Sequence, residues 1–186
     1  MLRTSFSWLF LSLLAFATAA CCGSVACDNR EKNADTLFFR FAPSVTDEAI
    51  ETVYIVRTYT PKPNAIPTPT PGPPVRDTAR LISTAADSST NRNLAIGNNT
   101  PFVATANRKL NAYTYEIYTP NPADTTGKTK VLRFDITNVQ LQGGFNDEDG
   151  CCTYYMNTLK TIDLYNGRTL QSGIDLNKIS YAPLVP

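Results

Sequence analysis

The sequence predicts an all-β protein: a single antiparallel β-sandwich with a proline-rich loop, an immunoglobulin-like arrangement of about seven or eight strands being one form of it. Three observations lead there. Short runs rich in β-branched and aromatic residues recur along the chain between turn signals. Nothing after Ala20 keeps a helical period for three turns. A stretch crowded with proline, Pro61–Pro74, interrupts the runs and cannot lie inside a sheet, because proline has no N–H for the ladder.

Taken in order, Thr36–Ala42 (TLFFRFA) and Thr52–Thr60 (TVYIVRTYT) read as strands. In the second, Val53, Ile55 and Arg57 point one way and Tyr54, Val56 and Thr58 the other. Between them, Thr46–Ile50 fits one helical turn capped by Thr46. Residues 61–74 hold seven prolines and read as an extended, exposed excursion between two strands rather than a domain linker. Further strands are expected at Thr78–Thr84, Pro101–Thr105, Leu110–Thr119 and Lys130–Thr137. Tyr113, Tyr115 and Ile117 share one face of the third of these, and Leu132, Phe134 and Ile136 share one face of the fourth. The turn between those two strands runs from Asn121-Pro122 to Gly127. Leu159–Tyr165 is the last long run, with Asn166-Gly167 as a hairpin signal into Arg168–Leu170.

The N-terminus carries an address. Arg3 precedes a stretch from Phe6 to Ala17 broken only by Ser7 and Ser12, and small residues follow up to Ala20. A charged start, a short apolar stretch and a small-residue cleavage site describe an export signal. The stretch is too short to cross a bilayer, which takes about 20 apolar residues. The segment Ala17-Thr18-Ala19-Ala20-Cys21 resembles the lipobox of bacterial lipoproteins, although Thr18 stands where leucine is commonest. That resemblance implies residues 1–20 as signal peptide, cleavage after Ala20 and lipidation of Cys21 with acyl chains such as palmitate. Two or more chains, at about 0.8 kcal/mol per buried methylene, hold a protein on a membrane stably. Residues 21–34 then read as lipid-attachment site and tether, and residues 35–186 as the β-sandwich domain.

The five cysteines are Cys21, Cys22, Cys27, Cys151 and Cys152. Lipid on Cys21 leaves four, and an exported protein meets an oxidising compartment. A Cys151–Cys152 bridge is strained, because adjacent alpha carbons lie about 3.8 Å apart and disulfides prefer about 4.4–6.8 Å. The two other connectivities both join Cys22 and Cys27 to Cys151 and Cys152, and both stay open. Adjacent cysteines also match poorly the spaced pairs of zinc sites.

Composition excludes several chemistries. There is no histidine, so Ser-His-Asp and Cys-His nucleophiles and histidine-ligated metals are absent. Removal of Arg3 with the signal leaves equal numbers of basic and acidic residues, which supplies no footprint for nucleic acid. The only tryptophan, Trp8, leaves with the signal as well. Asn146-Asp147-Glu148-Asp149-Gly150 resembles a calcium loop only superficially, because Phe145 falls where a ligand is needed. Glu116, Asp135 and Asp163 lie in expected strands and are the carboxylates available for glycoside chemistry, but no spacing brings two of them together. Tyr54, Tyr59, Tyr113, Tyr115 and Tyr118 are the candidates for a ligand face and equally for strand packing.

Read together, Cys21-Cys22-Gly23-Ser24, Asp35–Phe41 (DTLFFRF), Thr52–Arg57 (TVYIVR) and Cys151-Cys152-Thr153-Tyr154 look like small uncharacterised lipoproteins of Bacteroidota. The resemblance implies a cell-envelope location and a β-rich fold, and no activity. The expectation is a lipid-anchored, non-catalytic structural or binding accessory of the bacterial envelope. It sits on the outer membrane, at its periplasmic face or surface, with no cofactor and no metal. Its expected partners are the membrane, through the anchor, and an envelope protein or glycan. The alternative is a glycan-binding or glycan-processing protein.

Overall fold

The computed structural model describes residues 33–59, 76–82, 92–103, 109–124, 129–148 and 152–186. Among them run nine strands: β1 (Thr36–Phe41), β2 (Thr52–Tyr59), β3 (Arg76–Ile82), β4 (Asn93–Gly97), β5 (Tyr113–Pro120), β6 (Lys130–Glu148), β7 (Cys152–Tyr165), β8 (Leu170–Asp175) and β9 (Ala182–Leu184). They build a three-stranded sheet in the order β4-β1-β9 and a six-stranded sheet in the order β3-β2-β5-β6-β7-β8. The chain divides into two compact units, residues 35–142 with 157–186, and residues 1–34 with 143–156. Among the described residues no helix is long and apolar enough to cross a membrane.

The larger unit is a β-sandwich, and alternation explains its core. β1 turns Leu37, Phe39 and Phe41 inward and leaves Phe38 and Arg40 toward the other side. β5 alternates without a break, burying Tyr113, Tyr115, Ile117 and Thr119. One apolar cluster joins the inner faces of both sheets, with Phe41 and Phe134 edge to face at 6.2 Å between centroids. Removing Phe39, which is fully buried, costs about 3–5 kcal/mol as a cavity.

Several connections differ from the sequence expectation. β1 and β9 pair in parallel, Phe39 opposite Ala182, so the smaller sheet is mixed rather than purely antiparallel. The short C-terminal strand gains its place from two inward side chains, Ala182 and Leu184. Residues 101–103 of the expected strand Pro101–Thr105 run as bends after a cis Thr100–Pro101 peptide, and contribute one buried ring, Phe102, to the core. The remainder of that run lies outside the described residues. The expected helical turn is a 3-10 turn, Glu48–Ile50, with Thr46 Oγ1 accepting from the Ala49 amide at 3.4 Å. After β7 the chain reverses around Gly167-Arg168, one residue later than the Asn166-Gly167 signal suggests. Gly167 takes a φ of 87°, and Asn166 Oδ1 accepts from the amides of Arg168 (3.0 Å) and Thr169 (2.7 Å).

The proline-rich residues 61–74 lie outside the described residues. The strands on either side of them pair antiparallel, with Thr58 opposite Arg76. In the smaller unit, the distal parts of β6 and β7 carry an edge-to-face pair, Phe145 and Tyr155, at 5.6 Å. Asn146 Nδ2 donates to Tyr154 Oη at 3.5 Å beside them.

Candidate functional site

Register decides which side chains meet on the outer face of the six-stranded sheet. Opposed residues on neighbouring antiparallel strands project to the same side. Arg80 lies opposite Tyr54, Tyr54 opposite Tyr118, and Tyr118 opposite Arg133, so one row crosses four strands in the order Arg-Tyr-Tyr-Arg. The next row is Thr78, Val56, Glu116 and Asp135.

The two tyrosines stack nearly parallel, 5.1 Å between centroids and 11° between planes. Lys130, from β6 on the other flank of β5, places Nζ 4.3 Å from the Tyr118 ring centroid. Glu116 receives Lys130 Nζ and lies 3.0 Å from Arg133 Nε, while Arg133 Nη2 lies 3.1 Å from Asp135. The Tyr118 hydroxyl is held above its ordinary pKa, first by burial and then by Tyr54 and Glu116, with Arg76 acting the other way.

The structure therefore brings Glu116 and Asp135 together, directly opposed across β5 and β6. It also spends them: one arginine bridges both, and a lysine closes on Glu116. Asp163 is apart from them, at the register shift between β7 and β8, where Oδ1 accepts from the Gly173 amide at 2.7 Å and Oδ2 from Asn138 Nδ2 at 3.2 Å. Gly173, with a φ of 67°, supplies the left-handed conformation of that irregularity. All three carboxylates thus hold strands in place.

The five tyrosines divide by strand parity. Tyr54 and Tyr118 share the outer face, whereas Tyr113 and Tyr115 belong to the core and Tyr59 packs on Tyr113 at 6.2 Å. The Tyr115 hydroxyl donates to the Leu110 carbonyl at 3.0 Å, and burial raises its pKa far above the usual phenol value.

A second constellation, missed in the sequence, lies inside the sandwich. Arg57 is 2 % exposed. Its Nη2 meets Asp77 at 2.9 Å and its Nη1 donates to the Asn98 carbonyl at 3.1 Å. Its guanidinium lies 4.2 Å from the Phe102 ring centroid and 5.3 Å from that of Tyr113. Asn98 Nδ2 in turn donates to Asp35 at 3.3 Å, and Asn157 Nδ2 donates to the same carboxylate at 2.9 Å. Lys160, also buried, donates to the Thr36 carbonyl at 2.9 Å, and burial lowers its pKa against the opposing pull of Asp35. These bonds tie β1, β2, β3, β7 and the loop after β4 to one another. The signal available in sequence was Arg57 on the apolar face of β2, a charge where a core residue belongs.

Among the described residues no group of three carboxylate or cysteine side chains is gathered as metal ligands. Cys21, Cys22, Cys27 and Cys151 lie outside the described residues, and so do Asp149 and Gly150. Cys152 opens β7. Comparison with known proteins finds no matching family model, no matching curated protein and no matching solved structure.

Proposed function

We propose that the chain is a lipid-anchored protein of the bacterial cell envelope that acts without catalysis, as a structural or binding accessory. The observation that carries the non-catalytic reading is the use made of the candidate carboxylates. Glu116 and Asp135 are held by the same arginine, and Asp163 secures a strand irregularity. A glycosidase pair needs one carboxyl free to give a proton and another free to attack or to activate water. Clamped ion pairs serve neither task.

The anchor rests on the signal-like residues 1–20 and the lipobox-like sequence before Cys21. The pairing of Cys22 and Cys27 with Cys151 and Cys152 belongs to the same reading. The extended backbone of β7 from Cys152 onward favours it over a bridge between neighbours, which needs a tight turn. The location is the outer membrane, on the periplasmic face or the surface. The second reading, glycan binding, is favoured by one specific observation, the row of two tyrosines between two arginines on the outer face.

The test is fractionation of cells making the protein and its Cys21→Ala variant. The native chain is expected in the membrane fraction, with the variant released or left unprocessed. Equal distribution of the two between membrane and soluble fractions refutes the anchor.

A further inference from the structure

We propose that the outer face of β3-β2-β5-β6 is a binding surface for an acidic, carboxylated glycan lying along the row Arg80, Tyr54, Tyr118, Arg133. The proposal rests on the reading of the chain as an envelope accessory and names the partner of that accessory.

Charge is the first argument. This face carries Arg76, Arg80, Lys130 and Arg133 against Glu116 and Asp135, an excess of positive charge on a chain whose acids and bases otherwise balance. Lys130 and Arg133 share their charge with the two carboxylates. Arg76 and Arg80 are exposed on β3, and among the described residues neither is in an ion pair. The surplus therefore sits on the β3 side as two guanidinium groups whose planar forks match carboxylates. Arg76 also acts electrostatically on Tyr118, which places its charge within reach of the aromatic pair.

Shape and hydrogen bonding are the second argument. Three inter-strand steps of about 4.8 Å separate Arg80 from Arg133, so the row extends roughly 14 Å. Between its ends stand two half-buried phenols stacked on each other, with Lys130 over the Tyr118 ring. With its ring covered by Tyr54 and Lys130, Tyr118 offers solvent its edge and hydroxyl rather than a stacking face. Single-stranded nucleic acid relies on open aromatic faces for its bases. An acidic sugar chain needs what this row has: hydroxyl and guanidinium partners for its hydroxyl groups, and cations at intervals for its carboxylates. The aliphatic side chain in these rows, Val56, is buried, so little on the face attracts an apolar segment.

The experiment is titration of the purified full chain with an oligogalacturonate, beside the uncharged oligosaccharide of matching length and a single-stranded oligonucleotide. Saturable binding of the oligogalacturonate is expected, with little binding of the neutral sugar. Arg80→Glu and Arg76→Glu, both on an exposed edge strand, are each expected to weaken binding about tenfold or more, as lost charge-assisted contacts do. Tyr54→Phe, which keeps the ring stack and removes one hydroxyl, is expected to weaken it several-fold. Near 1 M salt, where screening acts within about 3 Å, binding should largely disappear. No saturable binding, equal binding of the neutral sugar, tighter binding of the oligonucleotide, or full affinity in Arg80→Glu each overturns the proposal. Membrane fractionation of the same protein reports separately on the anchor, so failure here is distinguishable from failure of the envelope reading.

Discussion

Replacing Arg57 by methionine removes a guanidinium from the interior while leaving an apolar stem of similar length. Four contacts go with it: the Asp77 carboxylate at 2.9 Å, the Asn98 carbonyl at 3.1 Å, and the Phe102 and Tyr113 rings at 4.2 and 5.3 Å. Breaking a fully buried pair costs about 3–5 kcal/mol, because the partner charge is left uncompensated. The Asp77 side chain is 19 % exposed, so water covers part of the loss, and about 1–2 kcal/mol is the appropriate share. The orphaned carbonyl adds about 1 kcal/mol, and the ring contacts about 1 kcal/mol in a desolvated setting. The sum is about 3 kcal/mol. For a chain of this size it corresponds to a fall of roughly 6–12 °C in Tm. Urea unfolding followed by far-ultraviolet circular dichroism measures it. Asp77→Asn in the Arg57→Met background should recover about 1 kcal/mol, since the stranded charge is gone. A loss below about 1 kcal/mol for Arg57→Met, or strict additivity of the two substitutions, would show that the pair does not hold β2 and β3 together as argued.

Tyr115→Phe should cost about 1 kcal/mol through the hydrogen bond to Leu110, and it also carries a pH signature. The folded-state pKa of Tyr115 is raised by burial, so its contribution is complete below the unfolded value near 10 and is lost as pH climbs beyond it. The variant should therefore lose less stability than the native protein above about pH 10; parallel decline of the two contradicts the assignment. Non-reducing proteolysis with mass spectrometry should recover a peptide containing Cys22 and Cys27 joined to one containing Cys151 and Cys152. Free thiols at all four positions, or Cys22 joined to Cys27 alone, contradict that linkage.

Strands with regular alternation and a strong apolar side were legible before any coordinates. β1, β2 and β5 are of that kind, and Tyr113, Tyr115 and Ile117 were correctly placed on one face. β4 was not legible, because NLAIG sits among asparagines and supplies two alternating aliphatics in five residues. β9 has three residues and becomes a strand only through pairing with β1, a partner distant in sequence. The length of β6 was hidden by Gly143, Gly144 and the positive φ of Asn138, each of which reads locally as an end. The candidate face was hidden for a different reason. Glu116 and Asp135 meet because β5 and β6 take one register, and a shift by one residue sends each to the opposite side of the sheet. Composition shows that both carboxylates exist; only pairing shows that one arginine occupies them together.

The central claim is that this body hangs from a membrane by lipid on Cys21. Intact-mass measurement of the protein extracted in detergent from its native membranes tests it most directly. The account predicts a chain beginning at Cys21 that carries the added mass of a diacylglycerol, with or without a further acyl chain on its amine. An unmodified chain, or one that starts at any other residue, contradicts it.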